Sequence, residues 1–446
     1  MKIFVVLLVV LLCFTACSSE QVPQVAETQP TTVEVTKPAF GMDVRIVGEP
    51  KTGSVVYAEV SVSSAEPVYQ WFVDGEPLAY VSEEALAIPF SAVGKQLQVC
   101  ATVGDYTAQS PAVTVVQDQP EQLPMAALAH DVKLYGRCGV GMAGLLLDYS
   151  ASGFEMNILA EGKEISFDYV AQYDAYVVVL IDGKQWGRPL LQEGAGTLTV
   201  PLTPGTHSLT LLKETEVNTS GKTLQLTSVK FEGTLLDKSE DRPLYIEFIG
   251  DSIACGDGSL GTYTAGQKWE LKDHSGTNGF AYLTAQRLGA DWSVFARGGI
   301  GLMKAAGEYT AGQIYPFVNR YRDKNTKYEP TRTPDIVVVE LGANDDNNDT
   351  AGFVAAYNAL VDQIRETYGP DVKIVWTGKS YNQYNAAKYV ATQRADANMF
   401  AFQFNYGSSG SAALDTQTSG HPNATEQKAF AEALAGYLQR TILNAK

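Results

Sequence analysis

Apolar positions recur with two different periods along this chain, and the change of period divides it near residue 240. Before that point they come in short runs rich in Val, Ile, Tyr and Phe with Gly, Asp and Pro between them, a pattern that predicts antiparallel strands and tight turns. After it, strand-length runs that are apolar almost throughout alternate with segments whose apolar residues return every third or fourth position. Such runs are buried on both faces, so the second half is predicted to be a parallel sheet between helices, an α/β/α three-layer domain over 240–446.

The β half divides again. Over 39–118, runs at 55–62, 68–73, 96–103 and 112–116 are punctuated by Asp74-Gly75 and Gly104-Asp105. Trp71, centred in one run, and the later Cys100 resemble the strand-centre Trp and second Cys of an immunoglobulin-like β-sandwich, with Tyr57 standing about where the first Cys would be. This module reads as a spacer or interaction module, with carbohydrate binding as the other reading. Residues 120–124 form a short linker. Over 130–236, strands are predicted at 154–158, 165–169, 176–181, 197–201, 207–213 and 224–231, broken by Asp182-Gly183 and Pro204-Gly205. Many short antiparallel strands of this kind suggest a jelly-roll β-sandwich. His207 lies beside a turn in that pattern and reads as structural.

Candidate chemistry enters in the α/β half. The strand at 244–249 stops at Gly250-Asp251-Ser252, which sets a serine hydroxyl at the carboxyl end of a parallel strand, where open α/β sheets hold their ligands. A second buried strand, 335–341, stops at Gly342-Ala343-Asn344-Asp345, and a third, 292–295, runs into Ala296-Arg297-Gly298-Gly299-Ile300-Gly301. One sheet edge would then gather Ser252, the Asn344 amide and a glycine loop whose backbone N–H approaches without a Cβ in the way. Asparagine and backbone amides of this kind are donors to an oxyanion. Gly299 is the chosen glycine, with Gly298 and Gly301 left open. A fourth strand is read at 372–376, and helices at 278–289 and along Phe353, Tyr357, Leu360, Val361, Ile364 and Tyr368. Near the end, Gly420-His421-Pro422 leads into Asn423-Ala424-Thr425-Glu426, a helix start with a capping pair, and Phe430, Leu434, Leu438 and Ile442 share a face of the helix that follows. His421 thus stands on a loop before a docked helix and is the candidate general base.

Composition narrows the partners. The 446 residues, 45% of them hydrophobic, allow about three domains of ordinary size. A net charge of -17 argues against nucleic acid or an anionic membrane surface and favours an uncharged substrate. Met1-Lys2, the apolar stretch 3–12 and Phe14-Thr15-Ala16-Cys17 read as a lipoprotein signal peptide over 1–17, followed by a polar linker over 18–38. The chain would then be a bacterial cell-surface lipoprotein, touching membrane only through a lipid on Cys17. The cysteines and histidines lack zinc spacing, so no metal is expected, and the cysteine count supports no disulfide scaffold.

The four blocks, in this order, resemble the SGNH (GDSL-type) hydrolase superfamily and, more closely, carbohydrate esterase family 2. The resemblance runs from about residue 132 to the C-terminus and includes Tyr135-Gly136-Arg137 and Val178-Val179-Leu180-Ile181-Asp182-Gly183 as well as Phe248-Ile249-Gly250-Asp251-Ser252-Ile253-Ala254-Cys255-Gly256. It implies an acetyl esterase without metal or organic cofactor, removing O-acetyl groups from plant cell-wall polysaccharide or oligosaccharide of xylan or glucomannan type. By that resemblance Ser252 is the nucleophile and His421 the base, while the Ser252 N–H, Gly299 and Asn344 form the oxyanion hole. The superfamily often carries Asp three positions before the histidine, where Thr418 stands here. Asp415 is the candidate third member, the alternative being a Ser-His dyad oriented by a backbone carbonyl. The rival functions are a lipase, thioesterase or aryl esterase on the same scaffold, and a non-catalytic glycan-binding surface lipoprotein.

Overall fold

Five parallel strands organise the second half: β1 (Tyr245–Gly250), β2 (Asp291–Ala296), β3 (Ile336–Glu340), β4 (Lys373–Gly378) and β5 (Met399–Gln403). The computed structural model describes residues 42–444 except 62–65, 80, 119–121, 217–221, 262–269, 307–308, 320–322, 347 and 405–420. Strand order is β2-β1-β3-β4-β5. Four helices cover the sheet: α1 (Phe280–Leu288), α2 (Thr350–Tyr368), α3 (Tyr381–Arg394) and α4 (Ala424–Leu438). Because side chains alternate along a strand, β3 sends Ile336 and Val338 to one core and Val337 and Val339 to the other. The first core holds Phe280, Ala285, Phe430 and Leu434 of α1 and α4, the second Phe353, Tyr357 and Val390 of α2 and α3. Three layers result, with the order of strands reversing between β1 and β3. A crevice opens at such a reversal outside the carboxyl ends of the strands.

The β half consists of several antiparallel sheets. In the first module a three-stranded sheet and a second sheet close over Val56, Ala58, Trp71, Leu97 and Val99. Trp71 is fully buried and its indole N–H donates to Glu83 O at 3.0 Å. Tyr57, by contrast, is 50% exposed, because in the strand Val55–Val60 it is Val56 and Ala58 that face inward. The inward position expected at 57 is therefore one residue off, and in a strand one residue is the whole difference between core and solvent. No disulfide joins the described cysteines.

The second β region corrects the sequence-based expectation in one respect. The runs at 154–158 and 165–169 belong to a single 19-residue strand, Gly153–Ala171, with a register shift between Ala160 and Ile165. Its first part pairs with Gly205–Lys213, its second with Gly194–Pro201, and both with Leu224–Leu235. The polar insertion Glu161-Gly162-Lys163 between two apolar runs looks like a turn in sequence; here it spans the bulge. Asp182-Gly183 does turn, with φ of 54° and 73° as a primed hairpin requires.

Tyr135-Gly136-Arg137 joins this β region to the parallel sheet. Tyr135 stacks on Trp292 of β2 with centroids 4.0 Å apart. Arg137 and Glu247 of β1 are both fully buried, with Nη2 and Oε1 2.9 Å apart. Tyr315 donates its hydroxyl to Glu247 Oε2 at 2.7 Å, and the guanidinium lies 4.4, 4.4 and 3.9 Å from the ring centroids of Phe295, Tyr315 and Tyr328. A charge can stand inside β1 because its counter-charge is delivered by the β region.

Candidate active site

Ser252 opens a four-residue helical turn, Ser252–Cys255, directly after β1. Asp251 caps that turn: its Oδ1 accepts the Ile253 N–H at 2.9 Å. Gly256, with φ of 75°, ends it, and a Cβ there would lie 2.0 Å from Ser275 O. Gly250 is constrained on the other side, since a Cβ would stand 2.4 Å from Ala254 Cβ. The turn is thus closed tightly at both ends, and as its first residue Ser252 has an N–H that makes no bond within it. Ser252 Oγ lies 2.7 Å from His421 Nε2. Asn423 holds the histidine loop by accepting the N–H groups of Thr425 and Glu426 at the start of α4. Gln427 of α4 reaches back, donating to Ile253 O at 3.0 Å and accepting the Phe280 N–H at 2.8 Å.

Asn344 ties the remaining blocks together. Its Nδ2 donates to Asp251 Oδ2 at 3.1 Å and to Ile300 O at 2.9 Å. A reversed amide would point its oxygen at two acceptors, so this orientation is dictated by its partners. Both of its protons are engaged. In the glycine loop, Gly301 N–H donates to Lys304 O and Ile300 N–H to Arg297 O. The Gly301 N–H is thus already engaged in the loop, while Gly299, at φ of 78°, requires glycine for its backbone.

Five acids and one arginine around this site were not read as site residues from sequence. Asp345 accepts the N–H groups of Leu302, Met303 and Lys304 at 2.8 to 2.9 Å, and a Cβ on Gly301 would stand 2.3 Å from its Oδ1. Arg297 pairs with Asp148, and its Nη1 lies 3.8 Å from Glu216 Oε1, so the loop is anchored to the β region. Asp251 and Glu340 are both buried beside the Ser252 turn. Burial pushes the Asp251 carboxyl up to about 7, and burial together with Asp251 pushes Glu340 well above the usual carboxylate range. A single acid in an otherwise apolar strand, as Glu340 is in β3, is a signal that could have flagged it, because a buried carboxyl requires a partner. Asp415, Thr418 and Cys17 lie outside the described residues. His207 Nδ1 bonds Asp182 Oδ2 at 2.9 Å, on the hairpin of the β region.

Two family models match consecutive stretches of the chain: residues 134–238 match the carbohydrate esterase 2 N-terminal domain, and 248–437 the GDSL-like lipase/acylhydrolase family. Over 134–437 the chain has the two-domain make-up of the family 2 carbohydrate esterases. These are carboxylic ester hydrolases. Among curated relatives, the cellulase/esterase CelE of Acetivibrio thermocellus is 31% identical over 237 residues, which make up 51% of this chain and only 28% of that protein. A family two carbohydrate esterase from Clostridium thermocellum, solved in complex with cellohexaose, is 25% identical over 70% of this chain and 99% of its own, with a TM-score of 0.62. The acetyl xylan esterase Est2A from the rumen bacterium Butyrivibrio proteoclasticus shares the fold at 19% identity and a TM-score of 0.64, covering 72% of this chain and 98% of its own.

Proposed function

We propose that this chain is a serine esterase that removes O-acetyl groups from plant cell-wall polysaccharide of the xylan or glucomannan type. The observation that carries this reading is the 2.7 Å contact of Ser252 Oγ with His421 Nε2 at the carboxyl end of β1. His421 takes the hydroxyl proton as Oγ bonds to the acetyl carbon, and the carbonyl electron pair moves onto oxygen. The oxyanion meets the N–H groups of Ser252 and Gly299 and the Asn344 amide, which passes one of its two bonds across from Asp251 or Ile300. The intermediate collapses, the sugar oxygen leaves with the proton from the imidazole, and water repeats the sequence to release acetate. The relative solved with cellohexaose supports a saccharide as the partner. In this proposal the module at 39–118 is an immunoglobulin-like spacer, 130–236 a jelly roll, and Cys17 the lipid-bearing residue that holds the enzyme at a bacterial cell surface.

Acetate release from acetylated xylan and glucomannan tests the reading. Ser252→Ala is expected to abolish it with an unchanged melting temperature; activity surviving in the folded variant removes Ser252 as nucleophile. Preference for long-chain or thiol esters would favour the lipase or thioesterase reading. Cellohexaose binding without hydrolysis of any ester would favour a glycan-binding lipoprotein.

A further inference from the structure

Glu340, the last residue of β3, plays no part in the steps above, yet it sits against the nucleophile turn. It is 2% exposed and pairs in register with Gly250, where a Cβ would stand 3.5 Å from its Oε2. Its carboxyl hydrogen-bonds the Asp251 side chain and accepts the Asp251 backbone N–H. Asp251 is fully buried and already accepts Ile253 N–H on Oδ1 and Asn344 Nδ2 on Oδ2. Two carboxyls in contact and away from water do not both ionise, so one proton stays in the pair. The charges weighing on Asp251 from neighbouring elements are also acids, Asp257 after the turn and Asp345 after β3; of the nearby histidines, His274 Nδ1 bonds Asp257 Oδ1 at 2.7 Å and His421 lies beyond Ser252. The repulsion from these acids adds to burial in retaining the proton. Asp251 is the better place for the remaining negative charge, because two N–H groups from other residues point at it, whereas Glu340 has only the Asp251 N–H and its Oε2 has no hydrogen-bond partner.

We propose that Glu340 is a positioning residue that keeps its proton and donates it to Asp251, loosening the carboxylate's hold on Asn344 so that this amide can turn to the oxyanion. The idea rests on the esterase reading above. Without Glu340, an Asp251 carboxylate lacking that proton would grip Nδ2 more strongly, and the donor would come late to the transition state.

One arm of the test is independent of catalysis. The infrared difference between wild type and Glu340→Gln at neutral pH is expected to contain the carbonyl stretch of a buried protonated carboxylic acid; its absence overturns the proposal. Glu340→Gln retains a donor to Asp251 and an acceptor for its N–H, and is expected to keep kcat near wild type. Glu340→Leu is expected to lower kcat about tenfold or more with KM unchanged, the signature of an interaction made in the transition state. Introduced into Asn344→Ala, the same change is expected to cost nothing further, because the two act through one amide. Undiminished kcat in Glu340→Leu, simple additivity with Asn344→Ala, or a Gln variant as slow as the Leu variant would each overturn it. If the Leu variant does not fold, the spectrum and the Gln variant still decide. Failure of the esterase reading is distinguishable: wild type would then release no acetate, or activity would survive Ser252→Ala, whatever the spectrum shows.

Discussion

Asn344 is the residue on which the other blocks converge, since its side-chain nitrogen bonds both Asp251, next to Ser252, and Ile300, next to Gly299. Replacing it with alanine is expected to lower kcat by about 10² to 10³, the usual cost of one oxyanion donor, with little change in KM. Steady-state kinetics on one acetyl ester separate the two parameters, and a change confined to KM would make Asn344 a substrate-binding group instead. With Thr418 at the usual acid position, His421 is proposed to be oriented by a backbone carbonyl. Asp415→Ala is then expected to cost far less kcat/KM than His421→Ala. Comparable losses, about 10⁴ where such an acid is essential, would make Asp415 the third member of a triad.

At the scale of elements, the β1–β3 pair carries a cost that depends on pH. The Asp251 carboxyl titrates near 7 in the folded chain against 3.8 ordinarily, and Glu340 is raised as well. The native state therefore binds protons that the unfolded chain has released, and this contribution, complete below the ordinary values, is lost as pH rises through the folded ones. Glu340→Gln removes one such proton. Urea denaturation between about pH 5 and about pH 8 is expected to show wild type losing stability relative to that variant, by up to about 1.4 kcal/mol per pH unit for one proton held. A constant difference would mean that the pair does not retain it. Elsewhere, α3 escaped the sequence pattern because it buries only Gln383, Ala386, Ala387 and Val390, too small and polar a set to mark a stripe.

Across the whole molecule, the β region and the parallel sheet depend on each other through Arg137 and Glu247. Arg137→Met leaves Glu247 buried without its counter-charge and is expected to cost about 3 to 5 kcal/mol. Replacing both residues with apolar ones of similar size is expected to recover much of that loss, because the desolvation of both charges disappears with them. Chemical denaturation of the single and double variants measures this. A double variant no more stable than Arg137→Met would mean that the pair does more than neutralise itself. The Asp148–Arg297 pair makes a second bridge, so disturbing the β region is felt at the glycine loop as well.

The sequence by itself determined what depends on neighbours along the chain: the two periods, the α/β/α order, the strand ends at Ser252 and Asn344, and the cap at Asn423. Because parallel strands must end on one edge, it also brought Ser252 and Asn344 to the same side, and the capped terminal helix marked out His421 on the loop before it, now found 2.7 Å from Ser252. Tertiary structure alone decided what depends on contacts between distant segments. Which face Tyr57 takes, whether 154–158 and 165–169 are two strands or one, and which partners make Glu247 and Glu340 tolerable inside a sheet are set by pairing and burial. A buried acid's ionisation is determined by groups contributed from far along the chain, and no local pattern contains them.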